Sequence, residues 1–380
     1  MSVEKRGQQW RARYRGPDGR ERNRSFGRKI DAERWLTEQK SRLSRGEWVD
    51  PAAGRVTFGQ LAVEWLDAAA HLKPKTRNSY ASLLRTRVLP TWERVPLAKI
   101  THEAVAVWVA GMVAAGLSAS RVRQSVYVVS AVCDYAVRTG RIARSPVVGV
   151  KLPRPSRHVE RVFLDHGQVA ALVTTAAALH PDYGVFVRLL AYTGLRWGEA
   201  TALQVRDVDL RRGRLDVRRA FSDVGGRLIP GTPKTHQQRT VPVAASLRAD
   251  LTRLLVARDP DALVFTTPAG TPLRMSNFRR NAWTPAVHAA GLHGLTPHGL
   301  RHTAASLYIA AGTPPKVVQR ILGHASIAIT LDLYGHLYPD EMDTWADRLD
   351  GLSRVQMWPE RGQDDEDEGD DGTAGVLAPL

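Results

Sequence analysis

Thr296-Pro-His-Gly-Leu-Arg-His302 decides how the second half of this chain is read. Threonine followed by proline suits a helix start, since proline has no N–H to lose in the first turn and its ring presets φ. The periodicity predicts a helix over 298–311. His298 and Arg301, at i and i+3, then project together from its first turn, where unpaired backbone N–H groups already favour an anion. Working outward, Leu322-Gly-His324 follows at the end of the next predicted helix, 314–322, and Tyr334 comes ten residues after His324. Upstream, Gly194-Leu-Arg-Trp-Gly-Glu199 places a glycine at the break of an apolar helix, with Arg196 just beyond it. Glu199, three residues on, has the spacing to orient that guanidinium. Thr232-Pro-Lys-Thr235 sets Lys234 in a turn before a predicted strand at Arg239–Val243.

Arg196, Lys234, His298, Arg301, His324 and Tyr334 make a set suited to phosphodiester chemistry. Displacement at phosphorus builds negative charge on the nonbridging oxygens. Arginine can meet that charge, because its planar fork donates paired hydrogen bonds and stays protonated. No HExxH pattern, P-loop or convincing carboxylate cluster offers a metal site instead. A tyrosine can attack phosphorus and keep the bond as a phosphotyrosine, provided that nearby cations or a base promote its ionisation. Tyr338 lies four residues from Tyr334 as a rival. His302 and His336 read as structural or supporting residues.

Composition narrows the partner. The 380 residues carry 54 basic against 38 acidic side chains, a net charge of +16, and such an excess favours a polyanion through counterion release. Forty-five of the basic residues are arginine, so coding bias is the alternative source of the excess. Glu360 to Asp371 holds eight acids and one arginine, which makes the body of the chain more basic still. The single cysteine, Cys133, excludes an internal disulfide and a cysteine-based zinc site, and reads as a core residue. There is no run of 18 apolar residues and no signal-peptide pattern, so a cytoplasmic protein without a membrane segment is expected.

The expected fold is multidomain and mainly α, with small β-sheets. Residues 1–55 read as a small sheet plus a helix. Strands near Trp10–Tyr14 and Glu21–Phe26 flank the Pro17-Asp-Gly19 turn, and a helix follows at 31–43. Residues 56–150 read as a helical bundle with helices near 57–70, 74–88, 101–115 and 118–139. Thr57 and Gln60 have capping-box spacing, and Leu61, Trp65, Leu66, Val107, Met112 and Val126 are among the core positions. A basic, proline-broken linker at 151–161 precedes a mixed α/β unit at 162–351. That unit reads as helices from Asp165 to about 179 and on through Tyr192. Strands near Leu215–Ala220, Arg227–Pro230 and Arg239–Val243 follow, then helices near 245–257, 276–290, 298–311, 314–322 and 327–336. Residues 352–380 read as an acidic, disordered tail.

In this order, the five motifs resemble the catalytic domain of the tyrosine recombinases, phage-type integrases in particular. The resemblance runs from about residue 57 to 340. The first unit is similar to an arm-type DNA-binding domain and the bundle to a core-site-binding domain. The resemblance implies that Tyr334, with the following Gly335-His336, forms a 3′-phosphotyrosine without cofactor or metal. It gives supporting base work to His298, a bond to the scissile phosphate to His324, and protonation of the departing 5′-oxygen to Lys234. It further implies core and arm attachment sites in double-stranded DNA and a homotetramer on that DNA. A directionality factor or a host DNA-bending protein is an implied accessory. A type IB topoisomerase and a non-catalytic DNA-binding protein are the competing readings.

Overall fold

The computed structural model describes residues 1–46, 48–50, 52–154, 162–233, 238–338 and 347. The expectations placed on Lys234, on most of the linker and on the acidic tail lie outside these residues.

The first unit is a three-stranded antiparallel sheet, β1 (Ser2–Arg6), β2 (Gln9–Arg15) and β3 (Glu21–Phe26), with one helix, α1 (Lys29–Ser44). The reading anticipated β2, β3 and α1 but not β1, which turns into β2 at Gly7 with φ +58°. Alternation along β2 buries Ala12 and Tyr14 while Arg11, Arg13 and Arg15 take the other face. Tyr14 meets Trp35 of α1 edge-on at 5.5 Å and its hydroxyl accepts a 3.0 Å hydrogen bond from Trp48 Nε1.

The second unit is helical: α2 (Phe58–Ala68), α3 (Pro74–Leu83), α4 (Leu89–Trp92), α5 (His102–Ala114) and α6 (Ala119–Arg138). Thr57 caps α2 in a complete capping box, its backbone N–H bonded to Gln60 Oε1 at 3.1 Å. A π turn at Leu84–Val88 joins α3 to α4. Pro90 explains it, because proline lacks the N–H and crowds the carbonyl four residues back, and a wider turn relieves both. The core is Phe58, Leu61, Val88, Val126, Val129, Val132 and Cys133, all fully or nearly fully buried. Burial pushes the Cys133 thiol up to about 12. One core assignment is corrected: Val107 is 66% exposed, and Val105, Val109 and Met112 face inward. The run Ala104–Ala110 contains no charged residue to phase the helix.

The third unit opens with α7 (His166–Leu179), capped by Asp165 as anticipated, and α8 (Pro181–Thr193). The short α9 (Trp197–Thr201) follows. β4 (Val208–Asp209), β5 (Arg214–Val217) and β8 (Arg239–Pro242) form one antiparallel sheet, while β6 (Ala220–Val224) and β7 (Arg227–Gly231) form a separate hairpin. The strand expected over 215–220 is thus divided between two sheets. At the division, Arg219 turns inward to the buried carboxylate of Asp207 at 3.0 Å. Then come α10 (Ala245–Leu255), α11 (Met275–Phe278), a second π turn at Arg279–Trp283 that leads into Pro285, and α12 (Thr284–Ala289). α13 (Gly299–Ala310), α14 (Pro315–Leu322) and α15 (Ile327–Tyr334) complete the unit. Phe186 is the hub of its core, meeting Phe265 at 4.9 Å and Trp197 at 5.2 Å. Burying one such ring stabilises by roughly 2–3 kcal/mol. The packing of α8 against α9, and of α9 against β6, fixes where Arg196 emerges.

Candidate active site

Two left-handed glycines organise the site. Gly194 ends α8 with φ +64° and Gly323 ends α14 with φ +65°, a region other residues enter only at a cost. Space forbids a side chain as well: a Cβ on Gly194 would lie 2.6 Å from Leu322 Cδ2, and one on Gly323 3.0 Å from Arg239. Each glycine then lends its carbonyl to an arginine from a different motif. Arg301 Nη1 donates to Gly194 O at 2.7 Å, and Arg196 Nη2 donates to Gly323 O at 2.9 Å.

At the C-terminal end of α14 the backbone N–H of Gly323 serves the Gln319 and Arg320 carbonyls, and guanidinium groups serve the next three. Ile321 O accepts from Arg239 Nε at 2.8 Å, Leu322 O from Arg301 Nη2 at 2.6 Å, and Gly323 O from Arg196. A helix C-terminus carries partial negative charge and unpaired carbonyls, so three cations are held together there despite their repulsion. Glu199 supplies the remaining compensation. Its carboxylate takes both N–H ends of Arg239, at 3.0 and 2.7 Å, together with the Arg196 guanidinium and backbone N–H, each at 2.9 Å. Burial alone would raise the Glu199 carboxyl, but the hydrogen bonds and charges of Arg239 and Arg196 outweigh it and bring it down to about 2. Burial and the neighbouring Arg196 lower Arg301 to about 9, which still leaves it charged at neutral pH.

Four rings line up beside these cations. His298, at the N-cap of α13, meets His302 edge-on at 5.2 Å. His302 Nδ1 lies 2.8 Å from Tyr334 Oη, and the Tyr334 ring stacks on His324 at 6.3 Å with 9° between planes. His324 is fixed from behind, its Nδ1 within 2.9 Å of Thr330 Oγ1. Burial first, then the arginine charges, lowers both His298 and His324, the latter to about 4. Both imidazoles are therefore neutral at pH 7. Tyr334 is 1% exposed and packs on Ala305, Ile309, Val318 and Leu322. The rival Tyr338 packs on the same cluster but turns its hydroxyl towards Thr313 O at 3.4 Å.

Five of the six residues singled out in the sequence therefore converge, from four separate elements, and Lys234 lies outside the described residues. Arg239 and His302 are the additions. His302 sat within a quoted motif yet read as supporting. Arg239 read only as the start of a strand. Among the described residues no group of three or more His, Cys, Asp or Glu is placed to hold a metal ion. No described helix is long and apolar enough to cross a membrane.

Comparison with known proteins places all three units in one family. Residues 162–341 match the phage integrase family, residues 58–151 the phage integrase central domain, and residues 4–45 the phage integrase N-terminal domain. The integrase of Mycobacterium phage D29 is 30% identical over 330 residues, covering 83% of this chain and 84% of that protein. The chain belongs to the phage integrase family: it is a site-specific tyrosine recombinase, an enzyme that transfers DNA strands. Two solved structures share its fold. The Tn1549 transposon integrase with circular intermediate DNA has a TM-score of 0.66 at 20% identity, covering 78% of this chain and 99% of that one. A lambda integrase tetramer bound to a Holliday junction has a TM-score of 0.58 at 19% identity, covering 85% and 95%.

Proposed function

We propose that Tyr334 attacks the scissile phosphate of double-stranded DNA while Arg196 and Arg301 hold its nonbridging oxygens. The observation that carries this reading is the convergence of the Arg196, Arg301 and Arg239 guanidinium groups on the end of α14, beside the buried Tyr334 phenol that stacks on His324. Each guanidinium has five N–H donors, so hydrogens remain for phosphate after the backbone carbonyls are served. His324, uncharged and anchored through Nδ1, is suited to give its other ring N–H to a phosphate oxygen. Lys234 is assigned to the departing 5′-oxygen from its turn motif alone.

In this reading the units at 1–55 and 56–150 bind arm and core attachment sites, and the linker at 151–161 lets bundle and catalytic unit (162–351) close around a duplex. Arg11, Arg13 and Arg15 on the free face of β2 support DNA contact by the first unit. A cleft of about 1240 Å³ between it and the bundle, lined by Arg20, Arg24, Arg42, Arg55 and Arg144 among others, supports the same contact. The chain acts in the cytoplasm as a homotetramer on DNA, the assembly reported for the lambda integrase on its junction. A directionality factor or DNA-bending protein sets the direction of exchange.

The test is Tyr334→Phe on a nicked suicide duplex cut from the DNA flanking this gene. Retained binding with no covalent adduct is expected. An adduct that persists in this variant would refute the assignment.

A further inference from the structure

We infer that His302 is the catalytic base: its Nδ1, 2.8 Å from Tyr334 Oη, receives the phenolic proton as the oxygen attacks phosphorus. The inference rests on the reading of Tyr334 as nucleophile and changes one part of it. The family resemblance gave base work to His298. The geometry gives the contact to His302 instead.

Position separates the three histidines. A base must lie within hydrogen-bond reach of the proton it removes, about 2.6–3.2 Å between heavy atoms. His302 meets that requirement. His324 lies parallel to the phenol with ring centres 6.3 Å apart, and its Nδ1 is directed to Thr330, so its second nitrogen is left for the phosphate. His298 meets the His302 ring edge-on at 5.2 Å. His302 follows Arg301 directly in α13, so the residue that holds phosphate and the residue that receives the proton share one turn of helix.

The step balances. With a proton on Nε2, the Nδ1 lone pair accepts from Oη–H. The Tyr334 oxygen forms a bond to phosphorus, the bond from phosphorus to the 5′-oxygen breaks, and that oxygen leaves with a proton from a separate donor. His302 is left as an imidazolium beside the phosphotyrosine. On rejoining, a 5′-hydroxyl attacks, the phenolic oxygen departs, and the same imidazolium returns its proton. The base of cleavage is the acid of ligation, which suits a reaction that must run both ways.

The groups gathered around this proton are His298 and Arg301 from α13, Tyr334 from α15, His324 from the loop after α14, Arg196 before α9 and Arg239 from β8. Arg301, brought down to about 9, keeps its charge through the acid and neutral part of the range. Protonation of His302 by solvent removes its lone pair, so cleavage slows as pH falls.

The test measures single-turnover formation of covalent adduct by the full chain on the nicked flanking duplex, from pH 5 to 9. Unaltered chain, His302→Ala, His302→Asn and Tyr334→Phe are compared. Asparagine keeps an acceptor near the place of Nδ1 but cannot take a proton, so it separates proton transfer from mere positioning. Both His302 variants are expected to bind the duplex normally. Both should cleave on the order of 100-fold more slowly at pH 7, the usual contribution of a general base. Their rates should climb from pH 7 towards pH 9, as a growing fraction of the phenol ionises unaided while Arg301 keeps much of its charge. A duplex with sulfur in place of the 5′-oxygen needs no proton on its leaving group, so it should not rescue them. An asparagine variant as fast as the unaltered chain, or with the same acid limb, overturns the proposal. So does rescue by the sulfur substrate, which would place His302 at the leaving group. An adduct in Tyr334→Phe would instead sink the underlying reading.

Discussion

Replacing Glu199 by glutamine should damage stability and activity together, and the structure sets the size. The carboxylate is 1% exposed and takes four hydrogen bonds from Arg196 and Arg239. Its carboxyl ionises near 2 in the folded chain against an ordinary 4.5. At about 1.4 kcal/mol per tenfold change in ionisation, that difference is worth about 3 kcal/mol at neutral pH. An independent route agrees: removing one partner of a buried ion pair typically costs 3–5 kcal/mol. The sign follows from the lowered value. The contribution is complete above pH 4.5 and is lost as acid approaches 2, falling to about 1.5 kcal/mol at pH 3. Denaturant unfolding of the full chain, followed through the transition of the catalytic unit, should show Glu199→Gln about 3 kcal/mol less stable at pH 7, with a gap that narrows in acid. Adduct formation should fall as well, because glutamine leaves one acceptor oxygen and no charge to hold the Arg196 and Arg239 guanidinium groups. A glutamine variant within 1 kcal/mol of the unaltered chain, or a gap that does not depend on pH, would refute this reasoning.

Three further outcomes follow from the same geometry. Arg301→Lys replaces a two-carbonyl clamp with a single point charge and should slow adduct formation by a factor on the order of 100–1000 while duplex binding persists; a loss under tenfold would argue against it. Gly323→Ala combines a left-handed φ with a 3.0 Å approach to Arg239, so thermal unfolding should show a loss of at least about 1–2 kcal/mol; an unchanged melting temperature would count against the cap. The His324 ring should stay neutral down to pH 5 in an NMR titration, since burial and three arginines bring it to about 4; protonation near 6.5 would contradict the burial described.

Much of this was legible because local rules and global packing agree. Asp165 and Thr57 cap the helices their spacing announced, and Gly194 breaks α8 where the apolar run stops. The parts that escaped have physical reasons. Arg239 is one of 45 arginines, and its partner Glu199 lies 40 residues away, so no local pattern marks it. His302 read as supporting because sequence spacing gives direction along α13 but not the return path of α15. β1 is short, charged and solvent-facing, with only Gly7 to mark its turn. α5 offered apolar residues on every side, and its buried face could not be phased from them. Pro285, after the second π turn, lay inside the helical periodicity expected over 276–290, and the chain kept the helix by widening it.

The central claim is that fixed cations and a phenol sever a DNA strand with no divalent ion. It is tested by trapping the full chain on the nicked duplex in excess chelator, digesting the product and sequencing the DNA-linked peptide by mass spectrometry. A 3′-phosphonucleotide on Tyr334, formed as fast with chelator as without, is the expected result. A nucleotide on Tyr338 or elsewhere, or no adduct until metal is restored, would contradict it.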